Sequence, residues 1–172
     1  KLTSLNLKQF DTRRVKSMYR MFGGCNSLTT LDLSSFRTDQ VTTMAKMFEF
    51  CDKLKDLDIS NFNTKNVKTM DSMFHGCQLI TSLKLNHFDT SNVNNFDYMF
   101  ESCHSLESID VSSFDTSKAT SMRSMFQDCR VITSLNLHNF DVSNSKSLEN
   151  FFYDCYSLKK VDISNFKTTN NL

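Results

Sequence analysis

Cysteine recurs in this chain at 25, 51, 77, 103, 129 and 155, a fixed step of 26 residues with no insertion or deletion in the series. The same step links Leu7, Leu33, Ile59, Leu85, Val111, Leu137 and Ile163, and it links Phe10, Phe36, Phe62, Phe88, Phe114, Phe140 and Phe166. A third series runs through Phe22, Phe48, Phe74, Phe100, Phe126 and Phe152. Self-similarity at this period is the signature of a solenoid, in which each repeat buries its apolar face only against its neighbours. The 172 residues hold six such turns and a partial turn of 16 residues, so residues 1–172 read as a single repeat domain.

Residues 28–53 show one period, and it mixes two patterns. Leu31 and Leu33 alternate with Thr30, Asp32 and Ser34, as in a short strand with one apolar face. Val41, Met44, Met47, Phe48 and Cys51 then follow at steps of 3, 3, 1 and 3, which places them on one stripe of a helix of about three turns. Between them, Phe36 is followed by Arg37, Thr38, Asp39 and Gln40, residues suited to a tight turn or a helix cap. Thr12, Thr38, Thr64, Thr90 and Thr116 recur at this corner and read as turn and cap residues. The expectation is an α/β solenoid of the leucine-rich-repeat kind with about 6.5 turns of strand, corner and helix. One parallel sheet roughly 30 Å wide lines one face, and helices line the other.

Net charge gives no lead on a partner. Twenty Lys and Arg stand against 19 Asp and Glu, for a net of +1, and both signs are scattered along the chain, which argues against nucleic acid. No apolar run approaches the roughly 20 residues of a membrane span. No basic-then-apolar leader follows Lys1, so an export signal or anchor is expected outside these residues.

The turn L-x-L-S-x-F-x-T-x-x-V-x-x-M-x-x-M-F-x-x-C-x-x-L, clearest over residues 57–106, resembles those of BspA-like leucine-rich repeat surface proteins. The resemblance is to the subclass abundant in mycoplasma surface lipoproteins and Gram-positive surface proteins, and it covers essentially the whole chain. It departs at Val142, Ser145 and Leu148, where the corner Thr, the helix Val and the Met are replaced. It implies a place at the cell surface or outside the cell, and adhesion to proteins or glycans of host or neighbouring cells. It brings no catalytic motif and no cofactor.

Cys25, Cys51, Cys77, Cys103, Cys129 and Cys155 could form three disulfides in 15 pairings. Their shared phase instead stacks them in one internal column as small hydrophobes, and a single-file column offers too few converging ligands for zinc. The Met positions and the Phe22 to Phe152 series recur in every turn and read as core. His75, His87, His104 and His138 share no phase, and neither a triad nor a glycine-rich nucleophile elbow is selected, so the chain reads as a non-enzyme.

The outward row between the strand apolar residues is Asn6, Asp32, Asp58, Lys84, Asp110, Asn136 and Asp162, a candidate ligand-binding row flanked by Ser, Thr and Asn. It reads either as a platform for a protein or glycan ligand or as a solubilising surface. Asp32 and Asp58 adjoin, yet a calcium site would need six or more oxygens. Tyr19, Phe50, Tyr98, Tyr153 and Tyr156 read as exposed aromatics on the other face. An alternative to adhesion is a structural spacer or fibre unit, because the chain begins and ends inside a period and open ends would allow end-to-end self-association.

Overall fold

The computed structural model describes residues 2–164 with Phe166 and Lys167. Counting coils from residues 1, 27, 53, 79, 105 and 131, each coil lies on the next in parallel register, 26 residues on. Isolated parallel bridges join Ser17 to Thr43, Thr43 to Thr69, Asn95 to Ser121 and Asp141 to Lys167. Four short strands add two parallel pairs. Strand β1 (Ser82–Leu83) pairs with β2 (Ser108–Ile109), and β3 (Ser134–Asn136) with β4 (Lys160–Asp162).

The α/β class is overturned, because no helix forms among the described residues. The segment 41–51, expected as a helix, runs as consecutive turns. The amides of Met44, Lys46, Phe48 and Phe50 donate to the carbonyls of Thr69, Asp71, Met73 and His75 in the next coil, at 3.2, 2.9, 2.9 and 2.7 Å. The intervening amides of Met47, Glu49 and Cys51 donate back three residues, each at 3.1 Å. Lys46 and Phe50 take left-handed backbone conformations, with φ of 61° and 57°, which no α-helix tolerates.

Spacing explains the choice. Stacked helices need roughly 8–10 Å between axes, whereas extended neighbours need about 4.8 Å. The phenylalanine column repeats at 5.7, 5.6 and 5.8 Å between ring centroids from Phe22 through Phe48 and Phe74 to Phe100, which leaves no room for a helix in each coil. Backbone groups are satisfied across coils instead, the amides of this segment donating to the next coil and those of Thr42, Lys68, Asn94 and Thr120 to the preceding one.

The expected continuous sheet is also absent among the described residues, which hold two two-stranded parallel sheets. After Leu33, Asp32 Oδ1 accepts the Ser34 amide at 3.0 Å and curls the chain out of the extended conformation. The same turn follows Asp58, Asp110 and Asp162, so each coil is extended for only a few residues.

Several buried columns hold the stack, three of them running through Phe48, Cys51 and Thr64. Phe48, Phe74, Phe100 and Phe126 are fully buried, with their rings nearly parallel. The thiols are free, and those of Cys51, Cys77, Cys103 and Cys129 are buried. Cys77 Sγ donates to Phe48 O at 3.2 Å, and Cys51, Cys103, Cys129 and Cys155 repeat the contact one coil at a time. The third column is threonine. Thr64 Oγ1 donates to Asp89 O at 2.9 Å and accepts the Asp89 amide at 2.8 Å, and Thr12, Thr38, Thr90 and Thr116 make the same double contact. These threonines, read as caps, are buried clamps between coils. At the sixth corner Val142 has no hydroxyl, and its amide bonds Lys167 O at 2.9 Å.

Candidate binding surface

The strand row lies along one side of the stack. Asp32, Asp58, Lys84, Asp110 and Asn136 are exposed, and Asp162 is half-buried. Each aspartate uses one oxygen locally. Asp32 Oδ1 also accepts the Ser34 hydroxyl at 2.7 Å, and Asp110 Oδ1 accepts the Ser112 amide and hydroxyl at 3.0 and 2.6 Å. Asn6 and Asn136 hold the same turn through Lys8 and His138. Lys84 is the exception in the row, having no acceptor oxygen to offer.

These bonds favour the charged carboxylate. The Ser34 and Ser112 side chains and then their amides lower the pKa of Asp32 and Asp110, while for Asp58 and Asp162 the Ser60 and Ser164 amides act first. The second oxygen of each aspartate makes no hydrogen bond among the described residues. The row therefore keeps its negative charge in mild acid.

The structure brings Asp58 and Lys84 together around an open depression of about 310 Å³, with Asp56, Ser60 and Ser82 on its walls. Asp58 and Ser60 also border a second depression of about 160 Å³ that reaches Asp32 and Ser34. Asn136 and Asp162 share a third, of about 200 Å³, with Lys160. Asp110 lines none of these three. Lys160 went unnoticed in the sequence, although it repeats the phase of Ser134.

The outer side is built differently. His75 Nε2 lies 3.2 Å from Glu101 Oε2, with the Phe50 ring 4.6 Å from the imidazole, and His104 Nε2 lies 2.8 Å from Asp128 Oδ2. Burial lowers the pKa of His75 and raises that of Glu101. Tyr19, Phe50, Tyr153 and Tyr156 are exposed, whereas Tyr98 is half-buried beneath the Arg123 guanidinium at 5.4 Å. His87 Nε2 contacts Ile59 O at 3.0 Å, and His138 Nδ1 contacts Ser164 Oγ at 2.8 Å, so the histidines serve separate contacts between coils. Among the described residues no three His, Cys, Asp or Glu side chains are grouped to hold a metal ion.

The family described as "Mycoplasma protein of unknown function, DUF285" matches residues 1–82 and again 78–171. The chain belongs to this family. Two successive DUF285 matches nearly fill the repeat array, and no curated protein matches it. A solved leucine-rich repeat protein from Bacteroides ovatus is 17% identical over 97% of this chain. The chain covers 66% of that protein's length, and the TM-score of 0.28 is too low to compare the two backbones coil by coil.

Proposed function

We propose that this DUF285 chain is a non-catalytic binding module of a cell-surface or secreted protein of the BspA-like kind, which presents its strand row to proteins or glycans of host or neighbouring cells. The observation that carries this reading is the contrast between constant and variable positions. Phe74, Cys77 and Thr64 repeat a buried chemistry from coil to coil, while the exposed row changes from Asp58 to Lys84 to Asp110 to Asn136 on one scaffold. A fixed frame with a varied exposed row is how repeat proteins build a recognition surface.

The test is a binding screen of the purified chain against extracellular-matrix proteins, glycans and intact cells, beside a variant with Asp32, Asp58 and Asp110 all changed to Asn. Asn6 and Asn136 hold the same turn naturally, so the variant loses charge without losing its turns. A partner lost in the variant supports recognition on the strand row. Binding that persists unchanged overturns it, and absence of any partner together with concentration-dependent growth in light scattering favours the spacer instead.

A further inference from the structure

The stack gathers charges that lie far apart in the sequence. At the corner of coils 1–3, where the strand face turns to the outer segment, Arg13, Arg14, Lys16, Arg37, Lys65 and Lys68 are all exposed. Carboxylates stand there too: Asp11 and Asp39, and Asp89 of the next coil, which accepts the Ser91 hydroxyl at 2.6 Å and lies in the field of Lys65. Asp11 is taken up by Arg13 through bonds of 3.0 and 2.8 Å, and Asp39 Oδ1 accepts Asn63 Nδ2 at 2.9 Å. Arg14, Lys16, Arg37, Lys65 and Lys68 then have no ion pair among the described residues.

The backbone beneath these side chains is tied from coil to coil. Thr42 N donates to Lys16 O at 2.8 Å and Lys68 N to Thr42 O at 2.9 Å, an unbroken ladder along the stack. Lys16 and Lys68 share one phase two coils apart, a separation of roughly 10 Å at the spacing of extended neighbours. Beside them lie two open depressions of about 360 and 330 Å³, the first lined by Asp11, Arg13 and Arg14 and the second by Lys8, Phe10, Asp11, Arg13 and Arg37, with Asp11 held by Arg13 in both. Phe10 is 53% exposed there.

We propose that this corner binds an acidic polysaccharide, whose sulfate or carboxylate groups are taken by Arg14, Lys16, Arg37, Lys65 and Lys68. Guanidinium forks match such oxyanions with two parallel hydrogen bonds, and lysines on a straight ladder suit a charge repeated along a linear polymer. One sugar ring can rest on Phe10. Nucleic acid is less well served, because single strands are held by a succession of aromatic platforms and this corner has one. The site is separate from the strand row and does not depend on its ligand.

The experiment is binding to immobilised heparin at physiological ionic strength, followed by a salt gradient. The wild-type chain is retained and released by salt. Changing Arg14, Lys16, Lys65 and Lys68 together to Ser weakens binding by about 100-fold or more. A variant with Lys53, Lys55, Lys159 and Lys160 changed to Ser, all exposed and off this ladder, has the same net charge and binds as the wild type does. Lack of retention, or equal losses in both variants, overturns the site. Tighter binding of single-stranded DNA or of phosphatidylserine vesicles than of heparin overturns the assignment to polysaccharide. The strand-row variant carrying three Asn substitutions keeps this corner and retains heparin, which separates the two proposals.

Discussion

The ring of Phe50 lies over Gly76, its counterpart one coil later, so closely that a Cβ on residue 76 would stand 2.6 Å from Phe50 Cδ1. Gly76 has φ of 73°, but Ser102 and Asp128 take 57° and 59° at the same phase, so backbone conformation alone does not demand glycine there. Gly76→Ala is expected to destabilise the chain by about 1–3 kcal/mol in urea unfolding. In a Phe50→Ala background the penalty should shrink to the backbone part. Equal penalties in both backgrounds would show that the ring is not the obstacle.

The threonine clamp gives a second prediction. Thr64→Val keeps the side-chain shape but leaves the amide and carbonyl of Asp89 without their partner. A loss of about 1–3 kcal/mol is expected. Thr42 is exposed and its hydroxyl only supplements the ladder, at 3.1 Å from Lys16 O, so Thr42→Val should fall within about 0.5 kcal/mol. Similar losses at both positions would remove the distinction between clamp and surface.

Truncating the middle of the aromatic column should be severe. Phe74 is fully buried between Phe48 and Phe100, and Phe74→Ala should cost about 3–5 kcal/mol. Phe152 is 36% exposed and should cost less when shortened. Urea melts of the two variants decide the order.

Thiol chemistry should follow depth. Burial pushes the Cys51 thiol up to about 12 and raises those of Cys77, Cys103 and Cys129 well above the usual range. In the folded chain at pH 8 only the half-buried Cys25 and Cys155 should react with a thiol reagent, and all six should react after unfolding. Rapid labelling of Cys77 in the folded chain would contradict the packing.

Acid should loosen the strand row. The pKa values of Asp32, Asp58, Asp110 and Asp162 lie below the ordinary value in the folded chain, so their contribution is present at neutral pH. It is lost as pH falls below about 4, through the carboxylate range. The urea midpoint of the wild type should drop between pH 7 and pH 3 by more than that of the variant with Asn at 32, 58 and 110. Parallel drops would mean that these turns do not sense the proton.

The periodicity of Cys25 through Cys155 and of Phe22 through Phe152 was enough to read the register, because identical apolar residues must stack in any such repeat. The local conformation was not. Val41, Met44, Met47, Phe48 and Cys51 meet a helical stripe, yet turns closed by bonds back three residues bury the same positions. Lys46 and Tyr98 adopt left-handed backbones that their side chains do not advertise. Gly24, Gly76, Asp128 and Asp154 share a phase and were the available sign.

The site was legible to a similar depth. Asp32, Asp58 and Lys84 could be named from the strand alternation, whereas Thr64 looked like a cap because its partner, Asp89, lies 25 residues away. The basic corner is not legible as a run of charges, because Lys16 and Lys68 are 52 residues apart in the chain and two coils apart in space.

The direction of the outer hydrogen bonds also gives the stack a polarity. Lys46, Ser72 and Tyr98 each donate forward, to Asp71, Asp97 and Arg123. On the outer segment each coil therefore offers amides to its successor and carbonyls to its predecessor. Along its outer side the stack is thus polar on its own axis, each interior coil giving these hydrogen bonds toward higher residue numbers and receiving them from lower ones.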